Sequence, residues 1–353
     1  MKCMFGRNGK KGNYAYIVAR VKSKKAALLK DDAYSKMLMM SLPEISRFIS
    51  ESGYQKEITE LTGKYSGVDL IEHATYANMA RLFRSILDSS EGDLKEMIVS
   101  DLERWDIWNL KVILRGRSFG LSADGIREDL VPAGVLDSEH LEKLIALESD
   151  EDILAAYQKM TDMAIPSDVL AKYKEEGNIA VIEDCLDKIY YEKLLLSIDP
   201  SSRPKRLFQD FIRNEIDITN LETILKLKKE NVPADVILTY VIPGGKLIDK
   251  KLAAQLANAE SVSAMNGDLS QLEFYEDIKD ALDDEKSLRE IVAALDKYHM
   301  AQASTFSHLY PLSVIPVIDF MIHKENEVNN IRVIARGLES GLDREIIKGL
   351  LVV

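Results

Sequence analysis

The chain is poor in the residues that staple, break or flatten a fold. Its 353 residues hold two cysteines, Cys3 and Cys185. Two thiols cannot frame a disulfide-bonded scaffold, and they fit a reducing compartment. They also leave no cysteine cluster for zinc, and the five histidines show neither an HExxH pattern nor paired metal spacing. Glycine (18) and proline (9) are scarce, whereas sheet-rich folds need many turns, so helices are favoured. No apolar run, VIPVIDFMI included, reaches the roughly 20 residues of a membrane helix. The opening MKCMFGRNGKKGNYAY lacks the apolar stretch of a secretory signal. A soluble protein, or one attached to a membrane without spanning it, is expected.

Acid is missing from one stretch only. Residues 1–30 carry nine bases and no carboxylate, while the whole chain has a net charge of −12, which leaves −21 on the remainder. An acidic body argues against a general nucleic-acid binder, which needs a basic footprint. The basic segment admits three readings: a solvated tail, a contact with an anionic membrane surface through residues 1–30, or a clamp on an acidic protein. A mobile end is expected over 1–11 and a helix from about residue 13.

Hydrophobics make up 46% of the chain, and they recur at helical spacing, as in Leu110, Ile113, Leu114 and Leu121. The main pattern is an internal repeat. DIWNLKVILRGRSFGLSADGIREDL from Asp106 aligns without gaps with DITNLETILKLKKENVPADVILTYV from Asp217 and EVNNIRVIARGLESGLDREIIKGLL from Glu327. The offsets are 111 and 110, and eleven of 25 columns agree in chemical class in all three copies. Triplication follows, and the chain divides into 1–132, 133–243 and 244–353.

The columns have physical readings. A carboxylate three residues before an amide (Asp106/Asn109, Asp217/Asn220, Glu327/Asn330) is a good helix start. Gly120, Asn231 and Gly341 suit the left-handed residue that ends a helix, with an apolar residue after each. A second short helix then follows, and the first two copies close in Pro-x-Gly-x-Leu. The cations Arg115, Lys226 and Arg336 fall near a helix C-terminus, where the helix dipole stabilises them. Three equivalent cations facing one partner is the alternative.

Catalytic patterns are absent from the sequence. There is no GxxxxGK[ST] loop, and Gly244-Gly245-Lys246 runs into Leu247, as befits a turn. No GxSxG elbow occurs. Trp105 and Trp108 share one helix face, where they read as core or as anchors for a partner. The candidate contacts are the loops after the repeated helices: Arg115, Gly116 and Gly120; Lys226 and Asn231; Arg336, Gly337 and Gly341. No cofactor and no metal site is expected.

Several long motifs carry a family resemblance: YAYIVARVKSKKAALL (14–29), LERWDIWNLKVILRG (102–116), GLSADGI (120–126) and PLSVIPVIDFMIHKENEVNNIRVIARG (311–337). They resemble the C subunit of the archaeal A-type ATP synthase, the counterpart of the d subunit of V-type ATPases, over essentially the whole chain. The middle copy departs where Leu227 replaces the glycine of Gly116 and Gly337. The resemblance implies an all-α funnel of three similar helical domains about a pseudo-threefold axis, with no enzyme activity of its own. It implies a peripheral place on the cytoplasmic face of the cell membrane, between the proteolipid ring and the D and F subunits of the central stalk. An adaptor of helical repeats serving another assembly is the alternative that triplication alone allows.

Overall fold

The computed structural model describes residues 11–201, 203–283 and 287–353, so the end expected to be mobile lies, apart from residue 11, outside the described residues. Every regular element among the described residues is a helix. The first group is α1 (Tyr14–Ala26), α2 (Asp31–Met37), α3 (Leu42–Ile49), α4 (Gln55–Leu61), α5 (Gly67–Ser89), α6 (Gly92–Ser118) and α7 (Ala123–Glu128). The second is α8 (Ser138–Ile145), α9 (Asp150–Thr161), α10 (Ser167–Glu176), α11 (Ile179–Ser197), α12 (Arg203–Lys229) and α13 (Ala234–Thr239). The third is α14 (Lys250–Asn258), α15 (Asn266–Leu269), α16 (Tyr275–Ile278), α17 (Leu288–Leu309), α18 (Ile315–Glu339) and α19 (Arg344–Gly349). The helix expected from residue 13 is α1, with Asn13 at its N-cap.

The repeated stretch is the C-terminal half of a long helix (α6, α12, α18) followed by a short one (α7, α13, α19). The long helices do not start at the repeated acids, contrary to the acid–amide spacing. They start at Gly92, Arg203 and Ile315, and Asp106, Asp217 and Glu327 lie inside them, each at most 3% exposed. The acids act at a distance instead, because a buried carboxylate takes donors from whatever backbone packs over it. Asp106 accepts from Val135 N–H (3.0 Å) and Leu136 N–H (2.9 Å). Asp217 accepts from Lys246, Leu247 and Ile248 (3.0, 2.7 and 2.9 Å). In both copies the Pro-x-Gly loop rides directly over the acid. A Cβ on Gly134 or Gly245 would lie 2.0 or 2.1 Å from the carboxylate oxygen, so only glycine fits.

The third acid takes a backbone donor from the N-terminal segment. Glu327 accepts instead from Leu29 N–H at 2.6 Å, at the far end of the sequence. Leu136, Ile248 and Leu29 each stand just before the N-cap residue of a short helix: α8, α14 and α2. The helices that follow keep the correspondence. α11 packs on α6, α17 on α12, and α5 on α18. The N-terminal segment thus does for the third copy what residues 136–197 and 248–309 do for the first two.

Apolar burial follows the same division. One cluster joins the C-terminal half of α12 to residues up to Leu295, and another joins Tyr34, Ile49, Tyr54 and Ile71 to Ile331, Ile334 and Ile347. The largest runs through α6, α11 and the first halves of α12 and α18. The α5–α18 contact also carries charge. Glu72 meets Arg332 (3.2 Å) and Arg336 (2.5 Å), and Lys324, itself 2% exposed, donates to Glu327 (2.8 Å) and Tyr54 (2.7 Å). A buried ammonium needs such partners, since an unpaired one would cost several kcal/mol.

Candidate functional site

Each copy ends its long helix in the same way. Gly120, Asn231 and Gly341 adopt φ of 72°, 58° and 68°, the left-handed conformation expected of this column. The amides of Leu121, Val232 and Leu342 then reach back to Gly116, Leu227 and Gly337 carbonyls at 2.9, 3.0 and 2.9 Å. The repeated asparagines clamp the chain a little further on. Asn109 exchanges two hydrogen bonds with Val131 (2.7 and 2.8 Å), Asn220 with Ile242 (2.8 and 2.7 Å), and Asn330 with Val352 (2.8 and 3.0 Å). The partner lies 22 residues along in all three cases. Cap and clamp fix each tip as a rigid bracket of a long helix, a tight turn and a short helix.

The predicted contact residues fall on these tips, and most of them have structural partners. Gly116 and Gly337 are buried; a Cβ there would sit 2.6 Å from Ile126 and 2.7 Å from Ile347, so the glycines let the short helix close on the long one. Arg115 pairs with Glu183 of α11 through two contacts of 2.5 and 2.9 Å. Arg336 pairs with Glu72 of α5. Lys226 is exposed and makes no ion pair among the described residues. Two members of the cation column thus tie a long helix to its packing partner.

The tips carry another feature that the sequence columns do not mark as exposed. Phe119 is 82% exposed, Leu121 49%, Leu342 45%, Ile346 56% and Val236 39%. Leu121 and Leu342 occupy the column expected to cover a helix end, yet they point outward. Between the tips of the first and third copies, α5, α6 and α18 line a groove of two adjoining hollows of about 340 and 290 Å³, which share Glu72 and Arg332. Tyr76, Trp108, Val112, Arg332, Val333 and Leu342 are among its walls. Trp108 thus packs on the core and also faces the groove, while Trp105 lies edge-on to it at 5.7 Å and donates to Glu325 at 3.3 Å.

Deeper between the long helices sits a charge cluster that spacing alone does not reveal. Arg104, Glu215 and Glu325 occupy one repeat column, two residues before the acids discussed above. Arg104 bonds Glu325 at 2.6 Å and stands 3.8 Å from Asp101. Glu215 accepts from Tyr191 at 3.0 Å and lies 3.9 Å from His299. Extending the alignment two columns upstream would have flagged it as a charged column whose sign changes in the first copy. Among the described residues, no group of three His, Cys, Asp or Glu side chains is placed to hold a metal ion. No helix among them is long and apolar enough to cross a membrane.

Fold and site together define, among the described residues, an all-helical repeat protein with exposed apolar side chains at the tips of its repeated helices. Residues 17–350 match the ATP synthase (C/AC39) subunit family, and the chain belongs to it. It is 38% identical to the C subunit of the A-type ATP synthase of Methanococcoides burtonii, covering 100% of this chain and 98% of that protein. Identity is 36% with the Archaeoglobus fulgidus protein of the same name (98% and 98% covered) and 33% with that of Haloferax volcanii (97% and 98%). Membership of this family means that the protein is part of a rotary ATP synthase, in a structural rather than a catalytic role.

Proposed function

We propose that this subunit is the socket of the central rotor, joining the membrane ring of proteolipid subunits to the D and F subunits of the central stalk. Ion movement through the ring then drives ATP synthesis, or the reverse. The protein is peripheral, on the cytoplasmic face of the cell membrane. Its repeats, 1–132, 133–243 and 244–353, stand about a pseudo-threefold axis as a funnel. The observation that carries this reading is the closure of the chain on itself. Leu29 caps the third acid, α5 packs on α18, and the first and third copies meet where Arg104 bonds Glu325.

A closed, capped ring of helices resists twisting, as a part that passes on torque must. The groove and the exposed tip residues Phe119, Leu121, Val236, Leu342 and Ile346 form the mouth that receives the stalk. The loops at the other end of the long helices, with the basic segment beside them, face the ring and its lipid headgroups. Gly12 and Asn13 bond Asp93 and Ser89, so this segment lies against the α5–α6 loop.

The test is reconstitution of the full chain with the ring and, separately, with the stalk subunits. F119D/L342D is expected to abolish stalk binding and to leave ring binding and helix content unchanged. Loss of ring binding alone would reverse the orientation, and unchanged binding to both would remove the tips as contacts.

A further inference from the structure

The junction of the long helices brings together more acid than base. Asp101 and Arg104 come from α6, Glu215 from α12 and Glu325 from α18, with His299 from α17 and Tyr190 and Tyr191 from α11 around them. Tyr76 of α5, bonded to Arg332, closes the side toward Glu325. Two carboxyl groups, Asp101 and Glu325, share the Arg104 guanidinium at 3.8 and 2.6 Å. Asp101 is 1% exposed, yet its Oδ2 has no hydrogen-bond partner, and neither has Arg104 Nε nor His299 Nε2. Burial disfavours the charged form of each carboxyl, and one guanidinium cannot neutralise both at once. Arg104 and Glu325 keep 23% and 26% of their side chains exposed, which gives protons a way in.

We propose that this junction is a proton-binding site, in which one proton is held by the Asp101–Glu325 pair while Arg104 balances the one carboxylate charge that remains. The added proton lowers the repulsion and supplies a donor where acceptors stand unsatisfied. The titration belongs to the cluster and not to one residue. The electrostatics agree: burial pushes Asp101 up to about 6 and Glu325 up to about 7, raises Glu215, and drives His299 down to about 4, so the histidine stays neutral. The three copies contribute one acid or base each at this level. Occupancy by a proton therefore sets how firmly the long helices are held together.

The experiment is a carbon NMR titration of the full-length chain labelled at the Asp and Glu carboxyl carbons, run beside D101N and E325Q. Beside the raised resonances of Asp106, Asp296 and Glu222, present in every sample, a further carboxyl resonance is expected to titrate between about pH 6 and 7.5, well above the ordinary range, and to vanish or shift in D101N and in E325Q. Thermal unfolding gives a second readout. Each proton bound only in the folded state shifts the folding equilibrium tenfold per pH unit, and that slope should fall in the variants. E325Q, at the most exposed position, keeps the test open if D101N does not fold. If every raised titration of the unsubstituted chain persists unchanged in E325Q, the proposal is overturned. Ordinary values for both carboxyls overturn it as well.

Discussion

Asn109, Asn220 and Asn330 satisfy both the N–H and the C=O of a single distant residue, and all three are at most 2% exposed. Losing the side chain strands two buried backbone groups, each worth about 1–3 kcal/mol. N220A is therefore expected to destabilise by about 2–4 kcal/mol in chemical denaturation, whereas K226E, at an exposed position, should change stability by under about 0.5 kcal/mol. The carboxyl groups set the pH response. Burial pushes Asp106 up to about 7, and burial with Asp296 nearby pushes Glu222 to about 8. A folded-state value above the unfolded one means that folding takes up protons. Stability should rise as pH falls from 8 toward 6, and level off below the ordinary carboxylate range. Asp319 runs the other way. Burial works against its charge, yet His323 and Lys25 hold it down to about 2. Its contribution, which ties α1 to α18, is present above about pH 4 and is lost as pH falls toward 2. Melting curves from pH 8 to 2 check both arms; a monotonic fall in stability from pH 8 downward would contradict the first.

At the scale of the element, the helix ends are legible in the sequence and the helix starts are not. Gly120, Asn231 and Gly341 announce the C-terminal caps because few residue types tolerate that backbone conformation. G120A and G341A should each cost about 1–2 kcal/mol, while N231G should change stability little; midpoints of urea unfolding distinguish them. The starts are misplaced because Asp106, Asp217 and Glu327 look like N-caps in sequence. Their partners lie about 30 residues downstream, or at Leu29, and local spacing carries no sign of that. The exposure of Leu121 and Leu342 is hidden for a related reason. An apolar residue after a cap reads as covering the helix end, and only the packed structure shows these two turned outward.

Across the whole molecule, the two ends of the chain form one structural unit. The apolar cluster joining Tyr34–Ile71 to Ile331–Leu351, with the buried Lys324–Glu327–Tyr54 network, makes α2–α5 and the second half of α18 depend on one another. Hydrogen exchange should place their amides in one protection class. The region from Ile218 to Leu295, with its own cluster, should open separately. Early exchange of α2–α5 under a still-protected α18 would show that the closure is weak.

The sequence by itself determined the helical class, the three copies, the left-handed caps and the family, because each rests on local composition, periodicity or long matching motifs. Tertiary structure alone decided what the repeated acids hold, that the N-terminal segment serves the third copy, and that Arg104 meets Glu325. Those are contacts between residues up to about 300 positions apart, and the free energy of a buried charge depends on which groups surround it in space. No periodicity along the chain encodes that neighbourhood.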